Sequence, residues 1–61
     1  MTKLEKYINK AKKALLKQRA RGYCENIGSA ELREAQCLID YENYARDCKA
    51  FAAFEKWVYS L

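Results

Sequence analysis

Four lysines carry the sharpest chemical pattern in this sequence. Lys6, Lys10, Lys13 and Lys17 are spaced four, three, four, the repeat that gathers side chains on one face of an α-helix. Lys3 and Arg21 extend the row. Ammonium groups in such a row can follow a phosphate backbone by charge alone. They cannot read bases, because no arginine, asparagine or glutamine cluster offers bidentate contacts to base edges. The same row equally serves as a solvated face that keeps a small protein soluble.

Catalytic chemistry finds little support. There is no histidine, so the usual general base is missing. Ser29 and Ser60 have no activating context. The cysteines are Cys24, Cys37 and Cys48, an odd number without C-x-x-C spacing, and a zinc site would need a further ligand from a carboxylate or another chain. Arg46 and Lys49 neighbour Cys48 in sequence, but Cys48 falls on an apolar face, where a thiolate is not favoured. On one continuous helix Cys37 and Cys48 would stand about 16 Å apart, too far to bond. The carboxylates are scattered, and the two glycines form no phosphate-binding loop. The residues therefore point to reduced thiols, no metal, no cofactor and no enzyme.

What must position these side chains is a single small domain. Sixty-one residues bury only about 60% of the surface exposed by the unfolded chain, so a partner subunit is an expected source of further stability. Net charge is +4, unevenly spread. Residues 1–21 hold eight basic side chains and Glu5, giving +7, while residues 22–61 hold four basic and seven acidic ones, giving −3. That asymmetry fits a polyanionic partner for the first segment, or attraction between the halves. Residues 1–21 lack the apolar h-region of a signal peptide. No apolar run approaches the ~18 residues of a membrane span. The expected location is cytoplasmic.

Thr2-Lys3-Leu4-Glu5 fits a capping box, with Thr2 and Glu5 each bonding the other's amide. Leu4, Ile8, Ala11, Leu15 and Gln18 then step by four, three, four, three, which predicts an amphipathic helix over about 3–21. Lys17, Arg19 and Arg21 suit the negative end of its dipole, and Gly22 suits the position just past its end. Residues 22–28 form the loop, bracketed by Gly22 and Gly28. Ser29 fits an N-cap with Glu31 in the first turn. A second helix follows over about 30–59, long and bent in the favoured reading.

The second half holds six of the eight aromatic residues. Tyr41, Tyr44, Ala45, Cys48, Phe51, Ala52 and Val58 fall three, four or seven apart, on one helical face. The apolar face of 30–39, made by Leu32, Ala35 and Ile39, is swung by roughly half a turn from it. Either the long helix serves two surfaces, or it breaks at Asp40, which would cap a third helix with Ile39 and Tyr44 forming a hydrophobic staple. In the continuous case the first helix covers the second only to about Cys48. Phe51, Phe54, Trp57, Val58 and Leu61 then overhang as an exposed apolar patch. The expectation is an all-α helical hairpin that associates as a homodimeric four-helix bundle. Its protein interface would be Tyr44, Cys48, Phe51, Phe54, Trp57 and Val58, serving self-association or an unidentified protein partner. Nucleic acid is the alternative partner, held by Lys6, Lys10, Lys13 and Lys17.

Two other uses are excluded. The apolar face of residues 3–21 is too thin, with no Phe or Trp, for a membrane-surface helix. A break at Asp40 would give helix-turn-helix topology, but the last helix mixes Glu42, Asp47 and Glu55 with Arg46, Lys49 and Lys56, which suits DNA phosphates poorly.

The opening Met1-Thr2-Lys3 and Glu5-Lys6 are similar to the start of the plasmid-encoded helical hairpins that regulate primer RNA as homodimeric four-helix bundles. The unequal helices and the aromatic second half depart from that family, and no RNA-contacting residue carries over. In size, basic N-terminus and helical texture the whole chain resembles the small, cysteine-containing helical accessory proteins of lambda-like bacteriophages. That resemblance implies a non-enzymatic effector acting on host or phage machinery.

Overall fold

Thr2 starts the first helix. Its backbone is extended and its hydroxyl oxygen accepts from the Glu5 amide at 3.2 Å. In a computed structural model, which describes residues 2–22 and 27–61, helix α1 then runs over Lys3–Ala20. The Glu5 carboxylate accepts from the Thr2 hydroxyl at 3.4 Å rather than from the Thr2 amide, so the return bond of the capping box runs between side chains. Leu4, Ile8, Ala11 and Leu15 are buried, as their spacing requires. Arg21 caps the end, and Gly22 follows with φ +92°, the left-handed position that glycine occupies without a Cβ penalty.

Residues 23–26 of the expected loop, Cys24 among them, lie outside the described residues. Helix α2 spans Ser29–Cys37. Its cap is Gly28, not Ser29, and the reason is steric. Gly28 has φ +86°, and a Cβ there would stand 2.5 Å from Val58 Cγ1. Only glycine allows the backbone to lie against Val58.

The expectation of a hairpin with one long second helix is corrected. After Cys37 the chain tightens: Leu38 and Ile39 donate to the carbonyls of Ala35 and Gln36, and Asp40 is extended, with φ −83° and ψ 129°. A single 3₁₀ turn, Tyr41–Asn43, leads into helix α3, Tyr44–Tyr59. The break falls at Asp40, and two carboxylates hold it. The Asp40 side chain accepts from the Glu42 amide at 3.0 Å, while the Asp40 amide donates to Asp47 Oδ2 at 2.7 Å. Asp47 is fully buried. One acid caps the turn and the other receives the amide that the turn leaves unpaired.

The break changes which residues form the core. With its direction reset, α3 lies alongside α1. Glu5 shares a groove with Arg46 and Lys49, and Lys12 sits over Trp57, so α1 and α3 run parallel with α2 antiparallel to both. Phe54 and Val58 do not overhang; at 1% and 4% exposure they are core residues. They pack with Leu4, Ile8, Ala11, Leu15 and Ala35, flanked by half-buried Leu32, Leu38, Phe51 and Trp57. The described residues are all-α, with three helices and no strand. No helix among them is long and apolar enough to cross a membrane.

Candidate functional site

Two surfaces hold the side chains that the sequence singles out. The first is the exposed side of α1. Lys6, Lys10, Lys13 and Lys17 are all exposed, on the side away from buried Leu4, Ile8, Ala11 and Leu15. Lys3 and Arg21 are exposed as well. Lys12, between two members of the row, turns the other way. Its ammonium lies 5.4 Å from the Trp57 ring centroid, a cation–π contact that ties α1 to α3.

The second surface is the aromatic edge where α2 ends and α3 begins. Of the six expected interface residues, Phe54 and Val58 are withdrawn into the core, because α3 folds back on α1. Trp57 is half-buried, stacked on Phe54 with ring centroids 6.2 Å apart. Tyr44, Cys48 and Phe51 remain together. With Gln36, Ile39 and Tyr41 they line a groove of about 380 Å³. Tyr41 and Tyr44 are 92% and 62% exposed at its rim. The neighbouring Cys48 thiol raises the Tyr44 phenol above its ordinary pKa. Ile39 and Tyr44, the expected staple pair, share this groove.

Asp47 is the residue that sequence reasoning missed. It reads as one of several charges on a mixed helix, yet no side chain of α3 is more buried. Its Oδ2 accepts from the Asp40 amide, while its Oδ1 has no hydrogen-bond partner among the described residues, so that one bond is what offsets the burial of the carboxylate. The spacing carried a signal. Asp47, Phe51, Phe54 and Val58 step by four, three, four, which sets an acid in line with three apolar residues. An acid buried in an apolar row needs a donor, and the Asp40 amide, freed where the helix breaks, supplies one.

A third pairing joins α1 to α2. The Tyr7 hydroxyl donates to Glu34 Oε2 at 3.0 Å. Burial, then that bond, then the charges of Glu34 and Glu31 push the phenol up to about 12. Among the described residues Cys37 is exposed and Cys48 half-buried, both as free thiols. No group of three or more His, Cys, Asp or Glu side chains among them is placed to hold a metal ion.

Compared with known proteins, the chain matches no family model, no curated protein and no solved structure. The class that the described residues define is a small all-α domain of three helices with a basic and an aromatic surface.

Proposed function

We propose that this chain is a small non-enzymatic protein-interaction module of the cytoplasm. It works through the aromatic edge formed by Tyr41, Tyr44, Cys48 and Phe51, and in the first instance it binds a second copy of itself. The observation that carries this reading is the exposure of Tyr41 and Tyr44 at the rim of a groove lined by Ile39, Cys48 and Phe51. Tyrosines are favoured interface anchors, because they combine contact area with a polar tip. A 61-residue domain also gains from a partner that covers such an edge. The role of an accessory effector, of the kind carried by lambda-like phages, belongs to this reading.

The test is mass in solution. A homodimer of a 7.2 kDa chain sediments at twice that mass. Tyr41→Ser combined with Tyr44→Ser should return it to the monomer with helicity unchanged, since both side chains are exposed. A wild type that stays monomeric at high micromolar concentration removes self-association. A double variant that still dimerises removes the aromatic edge.

A second reading, charge-driven nucleic-acid binding through α1, is supported by the exposure of all four lysines of the row. Lys10→Glu with Lys13→Glu should abolish any such binding at low salt.

A further inference from the structure

The break between α2 and α3 is narrow. Residues 29–61 contain neither glycine nor proline, so no residue type forces the chain out of a helix there. Leu38 keeps helical backbone angles, and Tyr41–Asn43 already form a right-handed turn. Asp40 is the residue that leaves the helix, with ψ 129°. Asn43, at φ −115° and ψ 30°, departs far less. Turning the Asp40 ψ toward about −42° carries α2 on into α3. Against that stands one bond from outside the turn, the Asp40 amide donating to Asp47 Oδ2. In a continuous helix this amide would donate to the Gln36 carbonyl four residues back. Asp47, whose Oδ1 already lacks a partner among the described residues, would then be buried with no donor at all.

Straightening has a consequence for the core. Residues 29–59 in one helix would reach about 46 Å at 1.5 Å per residue, whereas the folded chain measures 38 Å in its longest direction. The α3 half would stand clear of its own α1, and Phe54 and Val58, buried in the closed chain, would be bare. A second straightened chain supplies the same cover. Two long helices laid antiparallel, as α2 and α3 lie within one chain, put α3 of each copy where the other's α3 had been. The Lys12–Trp57 pair and the Gly28–Val58 contact then re-form between chains.

We propose that the α2–α3 junction is a hinge through which two copies of this chain exchange α3, and that Asp47 is the latch that keeps each copy closed. Exchange is a low-cost route to a dimer, because only the hinge differs between the two forms. The closed form has the bond from the Asp40 amide to Asp47. The exchanged form gains helical bonds across residues 38–43 and leaves an acid undonated in the core, which is unfavourable. A second copy is the occupant because the bared face is this chain's own core face, already matched residue for residue to α1 and α2. The exchange uses the buried side of α3 rather than Tyr41 and Tyr44, so it stands or falls apart from the aromatic edge.

The experiment is sedimentation equilibrium of the full chain, reduced and refolded over a range of concentrations. A Tyr41→Ser, Tyr44→Ser background takes away the aromatic edge. Adding Asp47→Ala strands the Asp40 amide in the closed form alone, a loss of about 5-fold or more per chain, so dimerisation should tighten about 25-fold or more. The far-ultraviolet helical signal should rise with the dimer, as residues 38–43 join the helix. Asp47→Asn keeps an oxygen that can accept from the Asp40 amide, and it should tighten dimerisation far less. Replacing Tyr41→Ser by Tyr41→Pro tests the hinge itself. Proline suits the first position of a turn that follows extended Asp40, but inside the exchanged form's continuous helix it costs about 150-fold or more per chain. It should return the Asp47→Ala variant to a folded monomer. Dimerisation that Asp47→Ala leaves unchanged overturns the exchange. So does an Asp47→Ala variant that unfolds instead of pairing, or a dimer that survives Tyr41→Pro. Each of these results leaves the aromatic edge standing, since that reading is tested by the wild type against the two serine substitutions.

Discussion

Two glycines with nearly the same backbone offer a sharp test of the packing. Gly22 has φ +92° with open space where a Cβ would stand, whereas Gly28 has φ +86° with Val58 Cγ1 only 2.5 Å from that point. Alanine at either position incurs the left-handed backbone penalty, about 1–2 kcal/mol. At Gly28 it also forces the α2 cap away from α3, and overpacking of that kind costs about 1–3 kcal/mol more. The expected losses are about 1–2 kcal/mol for Gly22→Ala and about 2–5 kcal/mol for Gly28→Ala, set against roughly 3–9 kcal/mol for a domain of this length. Urea unfolding followed by far-ultraviolet circular dichroism reads both. A double-mutant cycle isolates the contact. Val58→Ala removes the two methyl groups nearest Gly28, so in that background Gly28→Ala should cost no more than Gly22→Ala. Equal losses for the two glycines in the wild-type background would refute the reasoning. So would a Gly28→Ala loss that Val58→Ala leaves unchanged.

Asp47→Ala should cost about 1–3 kcal/mol, because it strands the Asp40 amide that donates to Asp47 at 2.7 Å. That is about 4–8 °C of melting temperature per kcal/mol in so small a domain, and a loss no larger than that of an exposed Ala45→Ser would refute the buried bond. Tyr7→Phe should cost about 0.5–1 kcal/mol, the low end for a hydrogen bond because this one is exposed. The Tyr7 phenol titrates at 10 ordinarily and at about 12 in the fold, so the folded state holds its proton more tightly. Its contribution is therefore full below pH 10 and lost as pH rises through 12. The wild type minus Tyr7→Phe stability difference should shrink over that window, and a difference that stays constant through it would refute the linkage.

The first helix was legible because each of its cues is local. The threonine cap, the four-three spacing of Leu4, Ile8, Ala11 and Leu15, and a glycine past the end all act within the helix they define. The break after Cys37 was legible only as one of two readings. No proline or glycine marks it, and the residues around Asp40 tolerate helix well enough to make a continuous helix the favoured reading. What decides against continuity is not local: the Asp40 amide finds its acceptor seven residues away, in the next helix. The misplacement of Phe54 and Val58 follows from that one choice, since a straight helix carries them past the end of α1 and a broken one lays them against it. The phase of the α3 stripe differs from its spacing for a related reason. Its apolar arc is broad, and spacing alone does not say that Phe54 and Val58 bury while Tyr41, Tyr44 and Ala52 stay in water. Gly28 reads as a loop bracket in the sequence, because Val58, which requires it, is 30 residues away.

The same junction decides both grooves that flank α3. On one side of buried Asp47, Phe54 and Val58 lie Tyr44, Cys48 and Phe51, which meet Gln36 and Ile39 from the end of α2. On the other side lie Arg46, Lys49 and Ala53, which meet Glu5 from α1. Neither meeting occurs on a straight second helix, where α3 would pass beyond the end of α1 and no turn would bring Ile39 beside Tyr44. Asp47 therefore acts at a distance on any partner that uses either surface. It is buried beneath both, away from the exposed cations and tyrosines, yet it holds the turn that sets α3 against α1. A substitution there should weaken self-association through the aromatic edge in proportion to the loss of fold, whereas Tyr44→Ser should weaken it with the fold intact.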